Sequence, residues 1–203
     1  FLRLILPDAE IRAYFMRCFA QCLYGRNDEQ FALLLQGEGG NGKSTLIHVL
    51  AHVLGDYAVT CKIQLFLDGQ TQSAGNATPE LAVLPGARLY LASEPKQGAV
   101  LDESRIKDLT GEWQQARKLN GDPFWFLPVG IPVLSFNRMP QIRGEDEGTW
   151  RRLIFIPFRE DLTALPKHLQ KKQSVAQAEM IAEAPGIAET PGIAETPGVA
   201  ETP

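Results

Sequence analysis

Four short, almost continuous runs of apolar residues dominate the hydrophobic pattern of the chain. A short run of this kind is typical of a strand that is buried on both faces of a sheet. The predicted strands cover residues 31–35, 88–92, 131–136 and 153–157. Because helical patterns separate these strands, we expect an α/β fold with a parallel sheet flanked by helices.

Apolar residues that recur every three or four positions predict the helices between these runs. One such stripe covers residues 8–24 and contains Cys18 and Cys22. Because both cysteines belong to the apolar stripe, packing in the core is favoured over metal binding. The other predicted helices cover residues 46–54, 78–80 and 102–109.

A β-hairpin is predicted between the second and third apolar runs. Residues 113–119 and 124–127 flank the sequence Asn-Gly-Asp-Pro, which is a strong signal for a tight turn between two strands. The polar stretch 67–77 is predicted to be a flexible loop. Thr78 then has the residue type of a helix cap, since Pro79 suits the first helical position.

The last part of the chain has a different composition. Residues 181–203 repeat a six-residue unit of the form Ile-Ala-Glu-Thr-Pro-Gly, and Pro-Gly in each unit prevents a helix. We therefore expect a disordered tail from about residue 173. The predicted domain organisation is a helical lead-in at 1–28, a core at 29–159 and a C-terminal extension at 160–203.

Composition and charge restrict the class of protein. The apolar fraction is 44%, and no stretch has the length of a membrane span or the features of a signal peptide. Three unevenly spaced cysteines favour reduced thiols in a cytoplasmic protein. The net charge of −4 comes from glutamates in the tail, so the rest of the chain is nearly neutral. Any nucleic-acid contact therefore requires a local basic cluster.

Residues 37–44 read Gly-Glu-Gly-Gly-Asn-Gly-Lys-Ser, which fits the phosphate-binding loop pattern between a strand and a helix. The backbone N–H groups of such a loop and the positive end of the next helix bind phosphate. We expect Lys43 to reach the β- and γ-phosphates and Ser44 to ligate Mg²⁺. The remaining residues expected to bind the nucleotide are Gly37, Gly39, Gly40, Asn41, Gly42 and Thr45.

Phosphoryl transfer also requires groups that orient the attacking water and neutralise charge. Glu94, Asn137 and the pair Arg151 and Arg152 lie next to predicted strands, and parallel strands bring such groups together at their carboxyl ends. Glu94 is expected to polarise the water or to act on Mg²⁺ through a water molecule, and Asn137 to contact the γ-phosphate or the water. The alternatives are a solvated glutamate, a turn asparagine and a surface arginine pair.

In this order, the motifs resemble the ATPase domain of superfamily 3 helicases, of the phage and plasmid primase–helicase type that is related to the poxvirus primase-helicase. The resemblance extends from about residue 1 to residue 159. It is carried by residues 37–45, 84–94, 106–111, 116–119, 135–140 and 150–158.

The resemblance implies an AAA+-like P-loop NTPase fold, with a β-hairpin inserted before the sensor strand, and a homo-oligomer, a hexameric ring around single-stranded or forked DNA. ATP and Mg²⁺ would bind between subunits, with Glu94 and Asn137 in cis. The neighbouring subunit would donate an arginine, with Arg152 the first choice and Arg151 the second. Arg117 and Lys118 of the hairpin would contact DNA in the channel.

Three further positions have two interpretations each. Trp113 or Trp125 would stack on bases in the implied ring, while the alternative is core packing for at least one of them. Lys107 would sense nucleotide or DNA, or it is a solvated lysine on a helix. Ser93 stands where many relatives of the implied family have a second acid, which leaves the contacts to Mg²⁺ beyond Ser44 open.

The implied function is an ATP-dependent DNA helicase motor of phage or plasmid replication, in the cytoplasm of a bacterial host or an infected cell. The primase module of such proteins would lie on a segment that precedes this chain. One alternative is a truncated, prophage-derived remnant that binds nucleotide or DNA without helicase activity. Another is a P-loop kinase, against which the absence of an acceptor-substrate signature and the unexplained hairpin both count.

Overall fold

The computed structural model describes residues 1–69, 77–93, 98–144 and 146–164. This part of the chain has an α/β fold. Its strands are β1 (Ala32–Gln36), β2 (Ala58–Thr60), β3 (Leu89–Ser93), β4 (Gln114–Arg117), β5 (Pro123–Phe126), β6 (Ile131–Phe136) and β7 (Leu153–Pro157). Its α-helices are α1 (Leu2–Ile5), α2 (Ala9–Ala20), α3 (Lys43–Leu54), α4 (Pro79–Ala82), α5 (Glu103–Leu109) and α6 (Glu147–Trp150).

Five of these strands form one sheet in the order β2-β3-β6-β1-β7, and every neighbouring pair runs parallel. Strands β4 and β5 form a separate antiparallel hairpin, which the chain inserts between β3 and β6. These observations confirm the predicted α/β class, the parallel sheet and the hairpin before the third long strand. Strand β1 lies between β6 and β7, so the ends of these three strands are neighbours.

The alternation of side chains along the buried strands divides the core into two layers. Leu33 and Leu35 of β1 face a cluster that includes Phe15 of α2 and Leu46 of α3. Leu34, between them, faces the opposite cluster with the residues around α4 and α5. Both faces of the central strands β1, β3 and β6 are therefore covered, which explains why these strands read as almost continuous apolar runs.

The first two helices pack in the same cluster as the sheet. The Asp8 carboxylate caps α2 by accepting hydrogen bonds from the backbone N–H groups of Glu10 and Ile11, at 2.8 and 3.1 Å. Cys18 and Cys22 are buried in this cluster, which confirms that they belong to the core. Burial raises the pKa of the Cys22 thiol to about 12, so the thiol stays protonated and unreactive at neutral pH.

The four predicted strands occur within one residue of their predicted bounds, and β6 and β7 match them at both ends. The sequence did not indicate β2, because three residues at a sheet edge are too few to show a periodic pattern. Thr78 is the N-cap residue of α4, which begins at Pro79 as predicted, but its hydroxyl caps no N–H group of the helix. The Thr78 hydroxyl instead accepts a hydrogen bond from the backbone N–H of Arg117, at 2.9 Å.

Two sequence predictions fall largely outside the described residues. These are the polar loop at 67–77, of which 67–69 and 77 are described, and the repeat tail from about residue 173. Within the described ranges, no helix combines the length and the apolar character that crossing a bilayer requires.

Candidate functional site

The carboxyl ends of β1, β6 and β7 meet at one edge of the sheet and form a cleft there. Gln36 pairs with Phe136 on one side and with Pro157 on the other, so the residues that follow these three strands are neighbours. The cleft has a volume of about 570 Å³. It is lined by residues 36–39, 41, 137–139 and 157–161. The glycine loop and Asn137 therefore share one site, as expected for parallel strands.

The glycine loop has a backbone that other residues would not adopt easily. Gly40 and Gly42 have φ angles of 79° and 83°, in the left-handed region where glycine avoids a steric cost. Helix α3 begins directly after Gly42, at Lys43. The loop thus turns the chain from β1 into the N-terminus of a helix of 12 residues, which is the geometry that binds phosphate in the P-loop pattern.

Gly37 is enclosed, whereas Gly39 is open, and this difference gives a matched pair of substitutions. A Cβ atom at Gly37 would overlap the Phe158 carbonyl oxygen and the Asn41 side-chain amide, while nothing lies within 4 Å of one at Gly39. We expect Gly37→Ala to lower the free energy of unfolding by about 1–3 kcal/mol, as other overpacked sites do. Urea unfolding measures this loss, and Gly39→Ala is the control that should stay near the wild type. Equal stability of the two variants would contradict the close packing of the loop against Phe158.

Lys43 and Asn41 are buried within the loop and bind its backbone. The Lys43 ammonium donates to the Asn41 side-chain oxygen at 3.0 Å and also to the Gly37 carbonyl. The Asn41 amide donates to the Glu38 carbonyl and, at 3.4 Å, to that of Phe158. Desolvation lowers the pKa of Lys43. The ammonium is therefore held within the loop by neutral oxygens, which phosphate oxygens can replace.

The segment after β7 lies across the glycine loop. The Phe158 N–H donates to the Gln36 carbonyl at 2.6 Å, and the Leu162 N–H donates to the Gly40 carbonyl at 2.9 Å. The Asp161 carboxylate accepts from the N–H and the hydroxyl of Thr163, at 2.9 and 2.5 Å, and these hydrogen bonds lower its pKa. The C-terminal extension thus begins as one wall of the cleft.

Sequence reasoning did not single out two cations of the cleft. Arg138 and Arg159 both line it, and both are exposed. Their positions carried a signal, because Arg138 follows Asn137 directly and Arg159 lies two residues beyond β7. Both arginines lie at the carboxyl ends of strands, where the chemistry of an open parallel sheet is concentrated.

The structure describes only some of the residues that are expected to act on Mg²⁺ or on the attacking water. Glu94 lies outside the described residues. Its neighbour Ser93 ends β3 and pairs with Ser135 of β6, the strand that also carries Asn137 at its end. Ser44, the expected ligand of Mg²⁺, is exposed in the first turn of α3.

The arginine pair lies at the opposite edge of the sheet. Arg151 and Arg152 precede β7, whereas the cleft lies beyond its carboxyl end, so the expectation that they gather with Asn137 is wrong. The Ala32 N–H donates to the Arg152 carbonyl at 2.8 Å, which fixes the pair beside the amino end of β1. A strand rises about 3.3 Å per residue, so roughly 15 Å separates the pair from the glycine loop of the same chain.

The two arginines differ in exposure but share one hydrogen-bond acceptor. Arg151 is exposed, while only 7% of the Arg152 surface is accessible. A terminal nitrogen of each donates to the Gln30 side-chain oxygen at 2.9 Å, and Arg152 also donates to the Gly148 carbonyl. The buried Nε of Arg152 has no hydrogen-bond acceptor within the described ranges. Burial and the adjacent Arg151 charge lower the pKa of Arg152.

The hairpin β4–β5 presents aromatic and basic side chains to solvent. Trp113 and Trp125 are each 63% exposed, so the expectation that at least one of them packs in the core is wrong. Lys118 is exposed beyond the end of β4, while Arg117 is half-buried and donates from Nε to the Gly121 carbonyl at 2.9 Å. Exposed aromatic rings beside cations are the groups that single-stranded nucleic acids contact.

Lys107 binds the segment that carries the arginine pair. Its ammonium forms an ion pair with Asp146, which precedes α6, and α6 leads directly to Arg151. On the same helix, the Glu103 carboxylate accepts a hydrogen bond from the Gly144 N–H. Helix α5 therefore supports the loop that positions the arginines, so in this structure Lys107 is an ion-paired lysine.

Residues 35–152 match the model of a protein family described as "Family of unknown function (DUF5906)", and the chain belongs to this family. It is 38% identical over 159 residues to a candidate helicase of Acanthamoeba polyphaga mimivirus, which covers 78% of this chain and 16% of that protein. It is also 31% identical over 151 residues to a candidate primase of African swine fever virus, covering 73% of this chain and 16% of that protein. The chain spans about a sixth of the length of these relatives.

Solved structures show the same fold at low sequence identity. The apo structure of the NrS-1 C-terminal region superposes with a TM-score of 0.63 at 17% identity, over 90% of this chain and 40% of that chain. A helicase named JCV Helicase superposes with a TM-score of 0.51 at 16% identity, over 89% of this chain and 48% of that chain. At these identities the likeness concerns the fold.

Proposed function

We propose that this chain is the ATPase motor of a DNA helicase of the superfamily 3 type. The observation that carries the proposal is the separation of two half-sites on one sheet. The glycine loop and Asn137 share the carboxyl-edge cleft, and the buried Lys43 ammonium is bonded to that loop, while the arginine pair lies at the amino edge. A site built from both halves requires two copies of the chain, as in a closed ring. The helicase and primase names of the viral relatives support this class.

The residues of the cleft fit ATP and Mg²⁺. Gly37 keeps the loop closely packed, because a Cβ there would overlap the Phe158 carbonyl oxygen and the Asn41 amide. The Lys43 ammonium is bound to neutral oxygens that a phosphate can replace. Ser44 would ligate Mg²⁺, which would supply positive charge to neutralise the phosphates. In this proposal Asn137 contacts the γ-phosphate or the attacking water, and Glu94 polarises that water. A copy of the arginine pair from the neighbouring chain neutralises the charge that develops on the γ-phosphate.

Assembly and turnover together test the proposal. We expect the particle mass to increase to that of a ring, a hexamer in the implied family, when ATP and single-stranded DNA are both present. DNA should then stimulate ATP hydrolysis by the assembled protein, because the trans arginines are supplied only in the ring. If the assembled protein shows no hydrolysis, the motor function is wrong and the chain is a module that binds nucleotide or DNA without turnover.

The hairpin is proposed to contact DNA inside the ring. We expect Arg117→Ala combined with Lys118→Ala to weaken binding of single-stranded DNA and to flatten its salt dependence, because each lost phosphate contact reduces the slope by about one. Fluorescence anisotropy at several salt concentrations measures how the affinity depends on salt. Lys62→Ala, at an exposed lysine outside the hairpin, is the control that should retain the wild-type slope. An unchanged slope in the double variant would remove the hairpin from the DNA path.

A further inference from the structure

Gln30 is the shared acceptor of the arginine pair, although no sequence pattern indicated it. Its side-chain oxygen accepts from Arg151 and from Arg152, each at 2.9 Å. The two guanidinium groups are therefore held side by side, despite their like charges, by one amide. An amide oxygen has two lone pairs, so a single glutamine can serve both donors.

The backbone around Gln30 is fixed by several independent contacts. The Asn27 side chain donates to the Phe31 carbonyl at 3.0 Å and accepts from the Phe31 N–H at 3.1 Å. The Gln30 N–H donates to the Asn27 carbonyl at 2.9 Å. Gln30 has a φ of 55°, and a non-glycine residue keeps this left-handed conformation only where its surroundings impose it. Such conformations cluster at functional sites.

Gly111 makes room for the Gln30 side chain. A Cβ at position 111 would lie 2.6 Å from Gln30 Nε2, so a larger residue there would displace the amide. Gly111 follows α5, the helix that also supports the loop before Arg151 through Lys107 and Asp146. Gly111 thus fixes the position of the amide, and the ion pair between Lys107 and Asp146 fixes the segment that carries the two arginines.

The charge of the acceptor is as informative as its position. No carboxylate lies within salt-bridge distance of Arg151 or Arg152 in the part of the chain that the structure describes. Glu112 and Asp146 act on Arg152 only as weaker, more distant charges. A neutral amide orients a guanidinium without cancelling its charge, whereas a carboxylate would form an ion pair with it. The pair therefore keeps its positive charge for an anion that comes from outside the chain.

We propose that Gln30 is the positioning residue of the arginine pair, and that its neutral amide presents both guanidinium groups to the terminal phosphates of the nucleotide held by the neighbouring copy. This inference rests on the proposed function. In this inference the Gln30 amide orients the two arginines and does not itself contact the nucleotide.

The first test replaces the amide by its isosteric carboxylate. Gln30→Glu should fold with an unchanged or higher unfolding midpoint, since it adds an ion pair, while kcat of the assembled protein falls about tenfold or more. KM for ATP should stay the same, because the glycine loop lies at the other edge. Gln64→Glu, the same change at an exposed glutamine, is the matched control. Wild-type kcat in a stable Gln30→Glu variant would overturn the inference, since a merely structural role predicts that result.

The second test mixes inactive variants within one ring. Lys43→Ala subunits have a defective nucleotide cleft but an intact arginine pair. Gln30→Glu subunits have an intact cleft but a defective arginine pair. After random mixing in equal amounts, about a quarter of the interfaces should combine an intact cleft with an intact arginine pair, because each interface takes one half-site from each neighbour. Mixing Lys43→Ala with the Arg151→Ala, Arg152→Ala double variant should restore activity equally. If only this second mixture recovers, the role of Gln30 is wrong; if neither recovers, the proposed intersubunit site is wrong as well.

A third measurement does not require assembly. In a Lys43→Ala background, inorganic tripolyphosphate should bind the arginine edge, and calorimetry should show about tenfold weaker binding when Gln30→Glu is added. The same loss should follow from the double arginine substitution, while Gln64→Glu should leave the affinity unchanged. Equal affinity with and without Gln30→Glu would overturn the inference independently of any turnover measurement.

Discussion

Replacing Lys43 by alanine is expected to lower ATP turnover about 10²- to 10³-fold, the range found when one preorganised donor to a developing charge is removed. The expectation follows from the position of its ammonium, which is bound to neutral oxygens of the glycine loop. Phosphate oxygens would form stronger, charge-assisted hydrogen bonds with it than these oxygens do. Hydrolysis by the assembled protein and binding of a fluorescent ATP analogue measure the loss.

Because Lys43 is buried, its removal also leaves loop oxygens without a donor and costs about 1–3 kcal/mol of stability. Ser44→Ala separates the two effects, since this side chain is exposed and its loss should lower turnover without changing the unfolding midpoint. Lys62→Ala should change neither quantity. Full turnover in a folded Lys43→Ala protein would show that nucleotide is not hydrolysed in this cleft.

The combined substitution of Arg151 and Arg152 by alanine is expected to have the second large effect. We expect turnover to fall about 10³- to 10⁵-fold, the contribution of arginines donated to a γ-phosphate. ATP binding should remain close to the wild type, because the pair lies about 15 Å from the glycine loop of its own chain. Turnover and nucleotide affinity, measured on the same assembled sample, distinguish a trans contribution from a loss of binding.

Single substitutions and a neighbouring control sharpen this result. Arg151→Ala should leave the unfolding midpoint unchanged, because Arg151 is exposed, whereas Arg152→Ala removes a buried donor to Gly148 and should lower it. Arg26→Ala, an exposed arginine in the loop that leads to Gln30, should retain turnover, since its partner is the surface residue Asp28. A double variant that hydrolyses ATP at the wild-type rate would exclude the arginine pair from the catalytic site.

Local patterns were enough to predict the main strands and the glycine loop between β1 and α3. The apolar runs identified β6 and β7 to the residue, because β6 is buried along its whole length and the edge strand β7 is also apolar throughout. The spacing of glycines before Lys43 indicated the turn into α3, because left-handed backbone conformations favour glycine. Asn137 was identified from its place directly after a strand. Each of these features depends on a few consecutive residues.

The arginine pair and its acceptor could not be placed in the same way. Whether Arg152 lies near the cleft depends on the direction of β7 relative to β1, a pairing between residues more than a hundred positions apart. Gln30 has no motif, and its role follows only from contacts with Arg151, Arg152 and Gly111 that join distant parts of the chain. The exposure of Trp113 and Trp125 likewise depends on which parts of the chain pack against the hairpin, and a local pattern does not show this.

The α/β class, the four long strands and the glycine loop follow from the amino-acid sequence, because periodicity, turn residues and backbone sterics act over a few neighbouring positions. Which groups share a site follows from long-range strand pairing. It placed Asn137, Arg138 and Arg159 with the glycine loop, and it placed Gln30 and the arginine pair at the other edge. These placements result from the order and the direction of the strands in the sheet, which long-range burial and hydrogen bonding select and which no local pattern encodes.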